Sequence, residues 1–309
     1  MPVAFAFSEL GQQVVSGLAS GSIYASLALA LVIIHRSTGV INFAQGEMAM
    51  FATYIAWTLD VNHGFPFWGA FFATLAISFL GGVVIQRTVI APIQRSSVLT
   101  IVIVTIGLIL ILNGLATWIW TGEVRAFDSP FPTRTVDIGG VAVSLQDVGT
   151  FGVVLAFVIA LWAFFRFTKV GLALRASALN PDASRLVGVR VGWMLALGWG
   201  LAAMLGAVAG MLAAPTVFLD PQMMQAILLY AFAAAILGGI DSPVGAIVGG
   251  LLLGVGLNLI GTYAKLDVWF IHIDLTAAEL RLPLALLIIL AVLLVRPAGL
   301  LGRPEVKRV

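Results

Sequence analysis

Apolar runs close to 20 residues long, separated by short polar stretches, dominate the chain. A run of that length is enough to cross roughly 30 Å of hydrocarbon. Clear examples cover about residues 10–34, 65–86, 98–120, 148–167, 192–214 and 282–295, with another inside the glycine-rich stretch that follows residue 243. Two further runs are weaker: 39–59 is polar at its start, and 227–239 is short. Each of these two either crosses or re-enters. The pattern predicts an all-α, polytopic membrane helical bundle with about eight or nine transmembrane helices, nine being favoured, some of them broken or re-entrant. A single membrane domain is expected over residues 1–309. The ten-residue alternation of a membrane barrel is absent. The one short alternation, VAVSL within residues 121–147, predicts a small hairpin between two spans.

Composition supports this reading: 61% of the 309 residues are hydrophobic and only 10% are charged, against about a quarter charged in soluble domains. Charge then sets the direction of each span, because loops rich in Lys and Arg are retained in the cytoplasm. Alternating the loops places twelve Lys and Arg inside and four outside. The expected topology has the N-terminus outside and the C-terminus inside, with Arg36, Arg87, Arg95, Arg296, Arg303, Lys307 and Arg308 on the cytoplasmic side. The net charge of +2 is therefore topological, and nothing points to nucleic acid. The first residues carry no Lys or Arg before Arg36, unlike a cleavable signal peptide.

The polar interruption with the densest positive charge covers residues 168–191, holding Lys169, Arg175, Arg185 and Arg190 against Asp182. Residues 171–179 have helix-forming composition. Asn180-Pro181 then reads as an N-cap followed by proline in the first helical position. That second short helix is expected to end at Gly188, where glycine accommodates a left-handed cap. Two short cytoplasmic helices would form a docking surface, whereas the bland alternative is a solvated connector.

Within the spans, the stretch least compatible with lipid holds Asn42, Gln45, Gly46 and Glu47. An acid deep in a bilayer costs on the order of 3 kcal/mol and faces protein or a water-filled cavity. Glu47 either lines such a pathway or sits in water at the cytoplasmic interface, 11 residues after Arg36. Small residues four apart permit close helix contact: Gly17 with Gly21, Gly206 with Gly210, Gly245 with Gly249, and Gly250 with Gly254. The last two pairs, with Asn258, predict that the helix after Pro243 is the closest-packed of the chain. Asp241 with Ser242-Pro243 reads as a turn and N-cap. Asn113 reads as an interhelical hydrogen bond, and Trp118 and Trp120 as an aromatic belt. The external acids Glu123, Asp128, Asp137, Asp147, Asp267, Asp274 and Glu279 fall in two outer segments, the first a candidate contact for a soluble partner.

Several chemistries are missing. There is no Cys, hence no disulfide, thiolate site or cysteine nucleophile. No HExxH, nucleophile elbow or paired acids within a span appear. His35, His63 and His272 are isolated, so neither a metal site nor a cofactor is expected. No phosphate loop of the form GxxxxGK[ST] occurs, so ATP would be handled by another chain. An autonomous secondary transporter would need its own coupling acids and repeated broken helices, of which only Glu47 is a candidate.

Four stretches, STGVINFAQGEMAM, RASALNPDASRLVGV, AAILGGIDSPVGAIVGG and LLVRPAGLLG, occur in an order and spacing that resembles the permeases of branched-chain amino-acid ABC importers, LivH type. The resemblance covers nearly the whole chain. It implies a non-enzymatic permease subunit of the bacterial inner membrane that moves leucine, isoleucine and valine, with urea or short amides as the alternative cargo. It also implies a homologous second permease, two cytoplasmic ATP-binding subunits and a periplasmic substrate-binding protein. By motif, Arg175, Asn180, Pro181, Ala183, Leu186 and Gly188 match the loop that couples to the ATPase. Asn42, Gln45, Gly46 and Glu47 match the polar segment after the first span, and Gly238, Gly239, Pro243 and Gly245 match the glycine-rich turn. Asp241 departs from the small residue more often found in that turn.

Overall fold

The computed structural model describes residues 2–94, 96–263, 265–268, 271–274 and 280–302. Arg95, Glu279, Arg303, Lys307 and Arg308 of the topology reading lie outside the described residues. The apolar runs become helices: α1 (Pro2–Thr38), α2 (Gln45–Trp57), α3 (Phe67–Ile85), the single turn α4 (Ala91–Ile93), α5 (Val98–Trp120) and α6 (Leu145–Phe167). The charged loop forms α7 (Lys169–Leu179) and α8 (Pro181–Leu186), followed by α9 (Val191–Val217), α10 (Met224–Gly238), α11 (Pro243–Tyr263) and α12 (Arg281–Val295). Among the described residues six helices are long and apolar enough to cross a membrane, while α10 and α12 are shorter apolar helices. The chain is thus a polytopic helical membrane bundle.

The weak second span is interrupted, as its sequence suggests. Residues 39–44 separate it from α1, and a π-helical turn, Thr58–Asn62, extends α2. A second π-helical turn, Gln86–Ile90, extends α3. The predicted hairpin is present as β1 (Thr135–Ile138) and β2 (Val141–Ser144), antiparallel, with Thr135 opposite Ser144 and Ile138 opposite Val141. A second hairpin, β3 (Lys265–Val268) and β4 (Ile271–Asp274), gave no alternation signal strong enough to predict.

The chain forms two compact units. One comprises Leu29–Asp128 and Val154–Leu228, and its centre is α9. Antiparallel to α9, α3 approaches so closely that a Cβ on Gly82 would lie 2.6 Å from the Trp199 carbonyl oxygen and 3.0 Å from the Gly200 Cα. On another side α2 runs parallel to α9, with Gly206 against Gln45 and Ala49, and Gly210 against Ala49 and Thr53. These relative directions are the ones that alternating spans require. α5 leaves Ile103, Ile106, Leu110 and Ile111 exposed, which needs no partner when the neighbour is lipid.

The other unit comprises the described residues of Met1–Ala28, Ser129–Val153 and Leu229–Val309. Here α1 crosses α11 through facing glycines. A Cβ on Gly17 would lie 2.7 Å from the Val255 Cα, and one on Gly21 2.8 Å from the Gly250 carbonyl oxygen. Asn258 adds two hydrogen bonds from its Nδ2, to the backbone and side-chain oxygens of Gln13, each 2.8 Å. The turn between α10 and α11 has Gly239 at φ +106°, a region that only glycine adopts freely. The tail folds back on this turn: the Leu300 and Leu301 N–H groups donate to the Leu237 and Gly238 carbonyls at 2.8 and 2.9 Å. Two separate sequence motifs are thereby one structural object.

The close backbone approaches predicted for α11 are present, against α1 and α10, although α11 is much less buried than α1 or α9. The rest of α11 carries exposed and half-buried residues. At its start the turn and N-cap read from Asp241-Ser242-Pro243 are present: the Ser242 Oγ accepts from the Gly245 N–H at 3.0 Å.

Candidate functional site

Asn42 folds the break before α2. Its Oδ1 accepts from the Ala44 N–H at 3.1 Å, and its Nδ2 donates to Gln45 Oε1 at 3.2 Å. Gln45 in turn donates from Nε2 to the Ala202 carbonyl on α9 at 2.9 Å. A chain of amide bonds therefore fixes the first turn of α2 on α9, and Gly206 leaves room for it. Gly46 turns its bare Cα toward Leu228, where an added Cβ would lie 3.2 Å from that side chain. Glu47 is 4% exposed, and its Oε2 has no hydrogen-bond partner among the described residues. In this chain the acid is enclosed by protein rather than set in water.

One polar feature escaped sequence reading. Thr74, Ser78, Gly82 and Gln86 recur every four residues, hence on one face of α3, and Gly82 shows that this face meets α9. Among the described residues Thr74 Oγ1, Ser78 Oγ and both amide atoms of Gln86 lack hydrogen-bond partners, as does the Trp199 indole N–H. The spacing alone was the signal that could have exposed it, masked because Thr and Ser scarcely lower the apolar character of a span. Polar groups in such a position normally bind one another or a solute.

The charged connector has two faces. Thr168 caps α7, accepting from the Gly171 N–H at 2.9 Å, and Asn180 caps α8, accepting from Ala183 N–H at 2.9 Å. Gly171, Leu174 and Ser177 are buried, and Leu174 reaches α9 beside Gly198. On the opposite face Leu172, Leu179, Leu186 and Val187 are exposed, Leu186 by 89% and Val187 by 78%. Arg185 pairs with Asp182 at 2.7 Å, both exposed, an arrangement worth little to stability in water. Arg175 is half-buried and its Nε has no partner. Gly188 terminates α8 at φ +85°. Arg175, Asn180, Pro181, Ala183, Leu186 and Gly188 thus share one helical elbow.

Asn113 donates from Nδ2 to the Pro221 carbonyl at 2.8 Å, tying α5 to the turn after α9. In the π-helical turn beyond α2, Asp60 has its carboxyl raised above the ordinary range, first by partial burial and then by the neighbouring charge of Asp128.

These features define a class: a multi-span membrane protein with polar groups enclosed among its helices and an apolar patch on a basic loop. The family model described as the permease component of branched-chain amino acid transport systems matches residues 13–295. The high-affinity branched-chain amino acid transport system permease protein BraD of Pseudomonas aeruginosa is 31% identical, over 96% of this chain and 97% of that one. LivH of Escherichia coli K12, described in the same words, is 29% identical over 96% and 97%. A probable branched-chain amino acid transport permease, LivH of Methanocaldococcus jannaschii, is 29% identical over 97% and 96%. The chain belongs to this family of branched-chain amino acid permease components.

Proposed function

We propose that this chain is a permease subunit of an ABC importer that carries leucine, isoleucine and valine into the cytoplasm. Its partners are a homologous second permease, two cytoplasmic ATP-binding subunits and a periplasmic substrate-binding protein. The observation that supports this reading best is the α7–α8 elbow. Its inner face is packed on α9 while Leu179, Leu186 and Val187 stand exposed on a basic loop, and the sequence has no phosphate-binding loop of its own. An ATPase can bias a transport equilibrium only through contacts that differ between its states, and an apolar knob of this kind supplies such contacts. The subunit is placed in the inner membrane with α7 and α8 inside.

The deciding experiment is uptake by the complex in liposomes, with the binding protein and ATP supplied, against a panel of leucine, isoleucine, valine, urea and acetamide. ATP-dependent uptake of the three amino acids is expected; uptake of urea or acetamide alone would transfer the subunit to the amide importers, and uptake without ATP would make it a secondary transporter. Topology is checked by reporter fusions, which should place Ser177 in the cytoplasm and Pro132 outside. A reporter at Ser177 responding as external overturns the orientation.

The solute route is assigned beside Asn42, Gln45, Gly46 and Glu47. Glu47→Gln retains shape and removes charge, so uptake should fall several-fold at unchanged abundance. Gln45→Leu should lower both quantities, because leaving the Ala202 carbonyl unpaired costs about 1–3 kcal/mol. Wild-type uptake by Glu47→Gln would restrict this segment to a structural role.

A further inference from the structure

At the end of α9 remote from α7, the segment after α5 is laced to the segment after α9. Arg125 and Leu219 exchange backbone hydrogen bonds, both 2.9 Å. Two non-glycine residues flank this bridge in the left-handed region, Thr121 at φ +65° and Phe218 at φ +62°. Such backbone is strained and persists where the surroundings hold it. What it holds is the Arg125 side chain. The guanidinium lies 4.5 Å from the Trp57 ring centre, and its Nη2 donates to the Trp120 carbonyl at 2.7 Å and to Thr121 Oγ1 at 3.3 Å. Its buried Nε–H has no partner among the described residues.

Tyr54 completes the group. Its ring stacks on Trp120 with centres 5.0 Å apart; the residue is 0% exposed, and its hydroxyl has no partner among the described residues. Arg125 is held against the same Trp120, whose carbonyl it hydrogen-bonds. Two acceptors of this group are engaged: Thr58 Oγ1 receives the Trp120 indole N–H at 2.7 Å, and the Ala126 carbonyl that of Trp57 at 3.2 Å. Unused capacity here is donor capacity beside a fixed positive charge, which suits an anionic oxygen; a guanidinium matches a carboxylate in shape as well as charge. Asp220, whose Oδ1 accepts from the Gln222 N–H at 2.6 Å, offers the opposite charge for an ammonium group.

We propose that Arg125 and the Tyr54 hydroxyl form a binding site for the carboxylate of a zwitterionic amino acid, with Trp57 and Trp120 as its walls. The identity of that solute rests on the transport reading above; the chemistry of the site does not. An acidic side chain of a docking protein would present the same carboxylate, and the test separates the two sources.

The full chain in lipid nanodiscs is examined by saturation-transfer NMR with L-leucine, leucinamide and N-acetylaspartate amide, the last carrying only a side-chain carboxylate. Leucine should give a saturable signal and leucinamide none. Arg125→Met should weaken leucine at least tenfold, Arg125→Lys less, and Tyr54→Phe several-fold. Equal signals from leucine and leucinamide, or undiminished leucine binding in Arg125→Met, overturn the proposal. So does binding of N-acetylaspartate amide without leucine, which would make the rim a dock for acidic side chains. If Arg125→Met does not reach the membrane, Arg125→Lys and Tyr54→Phe decide, because each keeps the size of the side chain it replaces nearly unchanged. A complex that imports amides while its permease still binds leucine here would refute the proposed cargo and leave this site standing.

Discussion

Gly188→Val and Leu186→Asp are each expected to abolish uptake and substrate-stimulated ATP hydrolysis together, in a complex that still assembles in the membrane and still receives loaded binding protein. The two substitutions act through different physics. A Cβ on Gly188 meets nothing within 4 Å, so valine there is opposed by the backbone alone. Holding a β-branched residue at φ +85° costs about 1–3 kcal/mol, and the elbow relieves that strain by re-aiming Val189 and Arg190 at the entry to α9. Leu186, in contrast, has no strained backbone. It is exposed, so aspartate leaves this subunit's own fold almost untouched but places a charge where an apolar pocket of the partner is expected. Burying a leucine side chain is worth about 1.5–3 kcal/mol, and each 1.4 kcal/mol is about tenfold in an equilibrium. Gly188→Asn serves as the control, since asparagine tolerates left-handed backbone better than valine, and should retain much of the activity. The measurements are uptake and ATP hydrolysis in liposomes. Full coupled activity in both Gly188→Val and Leu186→Asp returns α7 and α8 to the status of a solvated connector.

Gly254→Val is expected to remove the folded chain from the membrane, whereas Gly256→Val, two residues away, should leave it at wild-type abundance. An added Cβ at Gly254 would overlap the Cα and N of Gly21 and the carbonyl of Gly17, while at Gly256 it would meet nothing. The obstructing atoms at Gly254 are all backbone, so no rotamer change relieves them and α1 must move away from α11. Ordinary overpacking costs about 1–3 kcal/mol. Separating two helices in lipid adds the loss of their packing, for which the hydrocarbon offers no compensating hydrophobic gain. Quantitative blotting of membranes and thermal unfolding of the purified chain distinguish the pair of variants. Equal stability of the two would mean that the α1–α11 crossing does not hold the unit together.

Much of this architecture is legible before any coordinates. The bounds of α5 and the Asn180 cap follow from strong local signals: a long apolar run and a side chain that bonds its own helix. The left-handed Gly188 and the VAVSL hairpin are equally local. The low burial of α11 beside its close contacts has a different origin. Glycine spacing on α11 reports how near a neighbour can come, not how many neighbours surround the helix, and α9 is enclosed because α2 and α3 flank it. The stripe at Thr74, Ser78 and Gln86 was hidden by the strength of the apolar signal around it. Arg125 and Tyr54 are 71 residues apart and belong together only after α2, α5 and α9 are assembled. Glu47 stood out at once as an acid in an apolar run, but its enclosure depends on neighbours no local pattern names.

The folded-back tail has a consequence for how this chain can change over time. Gly239 and Gly302 lie against each other so tightly that a Cβ on the first would sit 2.6 Å from the backbone nitrogen of the second, and Gly299 closes on Gly239 in the same way. A side chain gained at Gly239 or Gly299 is met by backbone of another of the three, and one at Gly302 by the Ala298 carbonyl, so no single replacement among them is accommodated by side chains repacking. Across relatives these positions should be inherited as a block, and a chimera that takes the α10–α11 turn from one homologue and the tail from another should inherit a compatible pair only where both donors keep all three glycines.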